Sequence, residues 1–170
     1  MSYRSLNWIF CTLFAALLLF FAAGCDDAET FIQPNSIRMR LNGELWESQT
    51  VQAVLQEPNP VEVQFTFTAR GPLNEIVFIR IRSERRNLIG VHRITNQASG
   101  NALAYTRPGA PGFIETHSSF QCAVIGGTVW VDFVDFEEGT ISGRFSGTVC
   151  EILGNSPITY SSGEFFQLRF

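Results

Sequence analysis

The run Val61-Glu62-Val63-Gln64-Phe65-Thr66-Phe67-Thr68-Ala69 alternates apolar and polar side chains without a fault. A period of two belongs to a strand with one buried face, and no window after the apolar N-terminal stretch holds a helical period against it. Composition agrees: Phe occurs 16 times in 170 residues, beside plentiful Val, Ile and Thr, which fit a pleated, half-buried surface better than a helix. The chain is therefore expected to be all-β.

Turn chemistry divides it into strands. Ile37 to Leu41 runs into Asn42-Gly43, the pair that a two-residue type I′ turn requires, and returns through Glu44-Leu45-Trp46. That hairpin sets Leu41 against Glu44 and Met39 against Trp46. Further strands are predicted over Val51 to Gln56, Val61 to Ala69, Glu75 to Arg82, Leu88 to Ile94, Ala102 to Thr106, from Phe113, Thr128 to Phe136, Thr140 to Val149 and Gly163 to Phe170. A loop at Ser83 to Asn87 would pair Arg82 with Leu88, Arg80 with Gly90 and Phe78 with His92, and put Ile89 and Val91 on the face of Val77, Ile79 and Ile81. A three-residue loop at Glu137-Glu138-Gly139 would set Val131 against Phe145, Phe133 against Gly143 and Asp132 against Arg144. The expected fold is an antiparallel β-sandwich or barrel of about nine or ten strands, a single domain over residues 36–170.

The N-terminus fixes the address. Trp8 to Gly24 is an apolar run behind Arg4, too short for an ordinary bilayer span and ending in small residues, as a secretory signal does. Ala22-Ala23-Gly24-Cys25 resembles a bacterial lipobox. That resemblance implies a diacylglyceryl group on Cys25, cleavage before it, and usually acylation of the new amine. A retained single-span anchor is the alternative reading. Residues 1–24 are then the signal peptide and 25–35 an acidic tether opening with Asp26-Asp27-Ala28-Glu29. The partner implied is a membrane, reached through lipid on Cys25. Location is expected in a bacterial cell envelope, at the outer membrane (periplasmic or surface face) in preference to the inner; the acidic run resembles a surface-export signal of some Gram-negative bacteria, and an Asp there resembles the inner-membrane retention signal of enteric ones.

The lipobox, Leu41 to Trp46, the strand from Gly127-Thr128-Val129 into Ile141-Ser142-Gly143-Arg144-Phe145-Ser146-Gly147, and the closing Gly163-Glu164-Phe165 together resemble a family of uncharacterised small all-β bacterial lipoproteins. The resemblance covers nearly the whole mature chain. It implies the fold, and no activity or site residues.

Several function classes fall away on composition. Lys is absent throughout, which removes Schiff-base lysines, Ser-Lys dyads and a P-loop lysine. After Cys25 there are 11 Arg against 16 Asp plus Glu, a balance that disfavours nucleic acid. His92 and His117 lie in no zinc-binding spacing and are read as surface or half-buried strand residues, so no metal, cofactor or catalytic residue is assigned. Gly139-Thr140-Ile141-Ser142-Gly143 is read as a strand packing under Phe145 rather than a nucleophile elbow. Cys122 and Cys150 are expected to form a disulfide, because export places them in an oxidising compartment. Alignment of the two requires a bend near Gly126-Gly127.

Two clusters remain. Asp132, Asp135, Glu137 and Glu138 gather near one hairpin, where exposed turn charges are usually only solvated. Arg80, Arg82, Arg85, Arg86 and His92 form a concentrated positive patch, suited to anion binding or to keeping a sheet face soluble. The expectation is a non-enzymatic envelope module that binds an envelope protein or an anionic glycan. A barrel enclosing an apolar ligand among Phe65, Phe67, Val131 and Phe145 is the alternative, and a hydrolase built on the acidic hairpin or a histidine comes last.

Overall fold

The computed structural model describes residues 32–170 apart from residues 98, 110, 112, 124–125 and 152–155. Cys25, the expected signal peptide and most of the expected tether lie outside the described residues. Eleven strands follow in order: β1 (Ser36–Leu41), β2 (Glu44–Glu47), β3 (Thr50–Gln56), β4 (Glu62–Arg70), β5 (Ile76–Glu84), β6 (Gly90–Arg93), β7 (Ala102–Pro108), β8 (Ile114–Ser118), β9 (Gly127–Asp135), β10 (Thr140–Glu151) and β11 (Ile158–Arg169). Single 3-10 turns, Arg85–Asn87 and Ser119–Gln121, follow β5 and β8. The all-β antiparallel expectation holds, with eleven strands in place of nine or ten.

β10 organises the sheet. One half runs β2-β1-β11-β10-β9-β6 and the other β10-β8-β7-β5-β4-β3, so β10 belongs to both. Its residues Thr140 to Gly147 pair with β9, while Cys150 and Glu151 pair with Ser118 and His117 of β8. Side chains from the two halves meet in one core. Phe65 and Phe67 of β4 sit 4.8 Å from the ring of Phe170 and 5.1 Å from that of Phe165, and Phe145 meets Tyr160 at 6.1 Å. Burying one such ring contributes roughly 1.5–3 kcal/mol, so these aromatics dominate the packing. Close approach also demands small neighbours: a Cβ on Gly163 would lie 2.7 Å from the Phe145 ring.

Local expectations hold where the turn decides. Asn42 and Gly43 have φ of 50° and 90°, and the hairpin pairs Leu41 with Glu44 and Met39 with Trp46. β4 buries Val63, Phe65, Phe67 and Ala69 in strict alternation.

Two expected pairings are corrected. β5 does not form a hairpin with β6; Phe78 faces Ala104 and Arg80 faces Ala102 of β7, while β6 crosses to pair with β9. The reason lies at Leu88, whose helical backbone (φ −68°, ψ −41°) after the 3-10 turn reverses the inside-outside parity. Leu88 and His92 are buried, and Ile89 and Val91 are exposed.

The second correction concerns β9 and β10. Phe133 faces Ser142, Val131 faces Gly143 and Phe145 faces Val129, with an irregularity between Ser142 and Gly143. The loop has four residues because Phe136 leaves the ladder to pack on Phe170 at 6.1 Å and under the Arg85 guanidinium at 4.5 Å. Asp135 Oδ1 closes the turn by accepting from the backbone N–H groups of Glu137 (2.8 Å) and Glu138 (2.9 Å). A bulge at Asp132 then returns Val131 and Phe145 to the core.

The Cys122–Cys150 disulfide is formed, with Cα atoms 5.1 Å apart. Ser118 sits beside Cys150, and the turn Ser119–Gln121 carries Cys122 back alongside it. Non-reducing peptide mapping should join the peptides holding Cys122 and Cys150. The double change Cys122→Ser/Cys150→Ser should cost about 2–5 kcal/mol in denaturant unfolding. Two free thiols in protein taken from cells would contradict the bridge.

Candidate functional site

The arginine patch comes apart in three dimensions. Arg80 and Arg82 share the outer face of β5 with Phe78, but His92 is buried on β6, with its Nε2 2.6 Å from the Leu88 carbonyl oxygen. Arg82 Nη2 lies 2.9 Å from Glu62 Oε2, Arg86 Nε lies 2.7 Å from Glu84 Oε2, and Arg85 pairs with Glu57. Arg80 donates from Nε to the Gly100 carbonyl at 2.9 Å and lies over the Phe120 ring at 5.7 Å. The β4 strand beside β5 is the source of Glu62, so pairing order, invisible in the local sequence, supplies an acid to the patch.

The histidines were expected at the surface or half-buried, and both are buried instead. His117 is 2% exposed, its ring 6.3 Å from that of Tyr105 directly opposite, and its Nδ1 has no hydrogen-bond partner among the described residues. In the acidic hairpin, Asp132 receives two hydrogen bonds from Arg144, at 3.0 and 3.1 Å, and Asp135 is spent on its turn. Hydrogen bonding to Asp132, and then the Asp132 charge, raises the Arg144 pKa. Phe65, Phe67, Val131 and Phe145, expected to line an internal cavity, are each at most 1% exposed and packed within the core.

Outside the core, one row crosses six strands: Val91, Trp130, Arg144, Glu164, Arg38 and Glu47 stand directly opposite one another in turn. A shallow groove of about 340 Å3 lies between Trp130, Arg144, Ser146 and Glu164, opened where β11 bulges at Ser162 (φ 49°).

A larger cleft of about 570 Å3 opens where the β1–β2 hairpin, the β4–β5 turn and β7 meet. Trp46, Glu75 and Tyr105 form its inner wall and are buried; Leu45 and Leu73 stand exposed at its rim. Glu75 is placed by its turn: Gly71 N donates to Glu75 O at 2.9 Å, and Leu73 N donates to Glu75 Oε2 at 2.8 Å. Burial first, and then the Glu75 charge, raises the Tyr105 pKa. Behind it, burial raises that of Tyr160 well above its ordinary value, and the Tyr160 hydroxyl has no partner among the described residues. Sequence reading missed this site because Trp46, Glu75 and Tyr105 come from three separate elements. The local signal available was Trp46 after an Asn-Gly turn.

Compared with protein-family models, curated proteins and solved structures, the chain gives no match.

The Arg82 pair is directly testable by titration. Hydrogen bonds from Arg82, then from Asn59, hold the Glu62 carboxyl below its ordinary pKa. A lowered folded-state pKa contributes stability that is present above the unfolded value and is lost as pH falls through the folded one. In an exposed pair the contribution is small. Carboxyl-carbon NMR should show Glu62 titrating below an ordinary glutamate, and Arg82→Ser should move it upward. An unmoved midpoint would show that Arg82 does not hold the Glu62 charge.

Proposed function

We propose that this chain is a bacterial envelope lipoprotein, acylated on Cys25, whose all-β domain is a non-enzymatic module binding an envelope protein or a glycan. The lipobox and the small all-β lipoproteins that its motifs resemble support the anchor. Outer-membrane placement follows as part of the same proposal. The observation that carries the binding half is the cleft at Trp46, Glu75 and Tyr105, a concave site of ligand-pocket size with aromatic walls and a few convergent polar groups. The filled interior around Phe65, Phe67 and Phe145 favours binding at the surface over carriage inside.

Both halves are tested by cross-linking intact cells and measuring the mass of the purified protein. The uncross-linked chain should begin at Cys25 and carry added lipid mass, which Cys25→Ser abolishes. The adducts should contain one recurrent envelope protein or glycan. A mature chain retaining Trp8 to Gly24 would overturn the anchor, and the absence of any recurrent adduct would overturn the binding module.

A further inference from the structure

Each half of the sheet turns one face to the core and the other outward, and an outward face is ordinarily polar. The half holding β4 largely obeys. Its outward positions include Gln64, Thr66 and Thr68 on β4, and Arg80 and Arg82 beside Phe78 on β5. The half holding β6, β9 and β11 does not. Ile89 is 62% exposed, Val91 61%, Phe133 51% and Phe166 37%. Trp130, half-buried between the buried Val129 and Val131, points outward and stands opposite Val91.

The register makes these residues one surface. Phe133 stands opposite Ser142 on β10. The Ser142 hydroxyl accepts from the Gln167 N–H at 2.9 Å, which brings Phe166 alongside from β11. A small serine thus separates two exposed rings. Ile89 adjoins them one residue before β6, where Gly90 faces Val131. Charges on this surface are paired with one another: Arg144 with Asp132, and Arg38 with Glu164 at 3.5 Å. An exposed apolar patch whose charges are neutralised suits an apolar partner better than an ionic one.

The path of the chain selects that partner. Asn35 N donates to Phe166 O at 2.9 Å, Asn35 Oδ1 accepts from Arg169 N at 3.3 Å, and Ser36 stands opposite Phe166. The N-terminal segment therefore joins the domain beside the exposed phenylalanines. Six residues, Asp26 to Phe31, separate Cys25 from Ile32, a reach of at most about 25 Å when fully extended. A lipid on Cys25 keeps this surface next to the bilayer. The cleft lies at the opposite end of β1, at Leu41 and Asn42.

Resting on the lipoprotein reading, we propose that the outer face carrying Trp130, Phe133 and Phe166 lies on the membrane that anchors the chain and leaves the cleft facing away from it. Its rings gain from leaving water at the boundary between headgroups and acyl chains, and binding scales with the apolar area so buried.

The test reconstitutes the acylated protein into phosphatidylcholine vesicles with and without bromine on the upper acyl carbons, which quenches tryptophan emission on contact. After cleavage before Cys25 two tryptophans remain, Trp46 and Trp130, and Trp46 is buried. Subtracting the Trp130→Phe signal reads Trp130 alone. Trp130 should lose about half of its emission in brominated vesicles, equally at low and high salt. Phe133→Ser/Phe166→Ser, at two exposed positions, should reduce that quenching about twofold with the lipid mass unchanged. If this variant fails to fold, the tryptophan readings decide. Leu45→Trp, at an exposed position on the cleft and in the Trp130→Phe protein, should stay unquenched. Unquenched Trp130, quenching unaffected by the folded double variant, or equal quenching of Leu45→Trp overturns the membrane face. Mass analysis judges the anchor separately: a chain found without lipid is coupled through its Cys25 thiol to a maleimide lipid in the same vesicles, and the same readings then judge the face alone.

Discussion

The sharing of β10 between the two halves of the sheet is the constraint from which the other features follow. A strand of twelve residues whose early part pairs with β9 and whose end pairs with β8 obliges the two halves to face each other. Only then do the inward aromatics of β4 meet Phe165 of β11 and Phe170 just after it. The disulfide ties Cys150, in the terminal part of this strand, to the segment just after β8. The ladder between β10 and β11 is irregular. β11 bulges against β10 near Ser162 and Gln167, which take φ of 49° and 45°, and the Ser142 hydroxyl accepts the Gln167 N–H at 2.9 Å. Positive φ outside glycine is unfavourable, so the surrounding ladder must enforce it.

Where a feature depends on neighbours in the chain, sequence reasoning reached it. The Asn42-Gly43 turn demands two left-handed residues and so dictates its own register. The alternation from Val61 to Ala69 needs no knowledge of the partner strand, because only one register buries Phe65 and Phe67. Reasoning failed where distant groups intervened. Phe136 is drawn to Phe170 and Arg85, which lengthens the loop by one residue, and no local pattern announces that. Leu88 keeps one more helical residue after a 3-10 turn, and the single step exchanges which of Ile89, Val91 and His92 faces the core.

The site followed the same rule. Arginines close in sequence looked like a patch, but the patch included acids from β4 and from their own turn, and its histidine belonged to the other half of the sheet. Trp46 belongs to the β1–β2 hairpin, Gly71 and Glu75 to the β4–β5 turn, and Tyr105 to β7. Strand order assembles them, and the absence of a side chain at Gly71 lets the Trp46 indole and the Glu75 carboxylate pack directly against it.

The central claim is that the domain engages its ligand at a surface cleft and not within its core. A crystal structure of the protein with its cross-linked envelope ligand bound measures this most directly. The account predicts a ligand in the cleft between the β1–β2 hairpin, the β4–β5 turn and β7, against Leu45 and Leu73, with the rings of Phe65, Phe67 and Phe145 unmoved. A sugar seated on the outer arginine face, or a ligand lodged among those core rings, would contradict it.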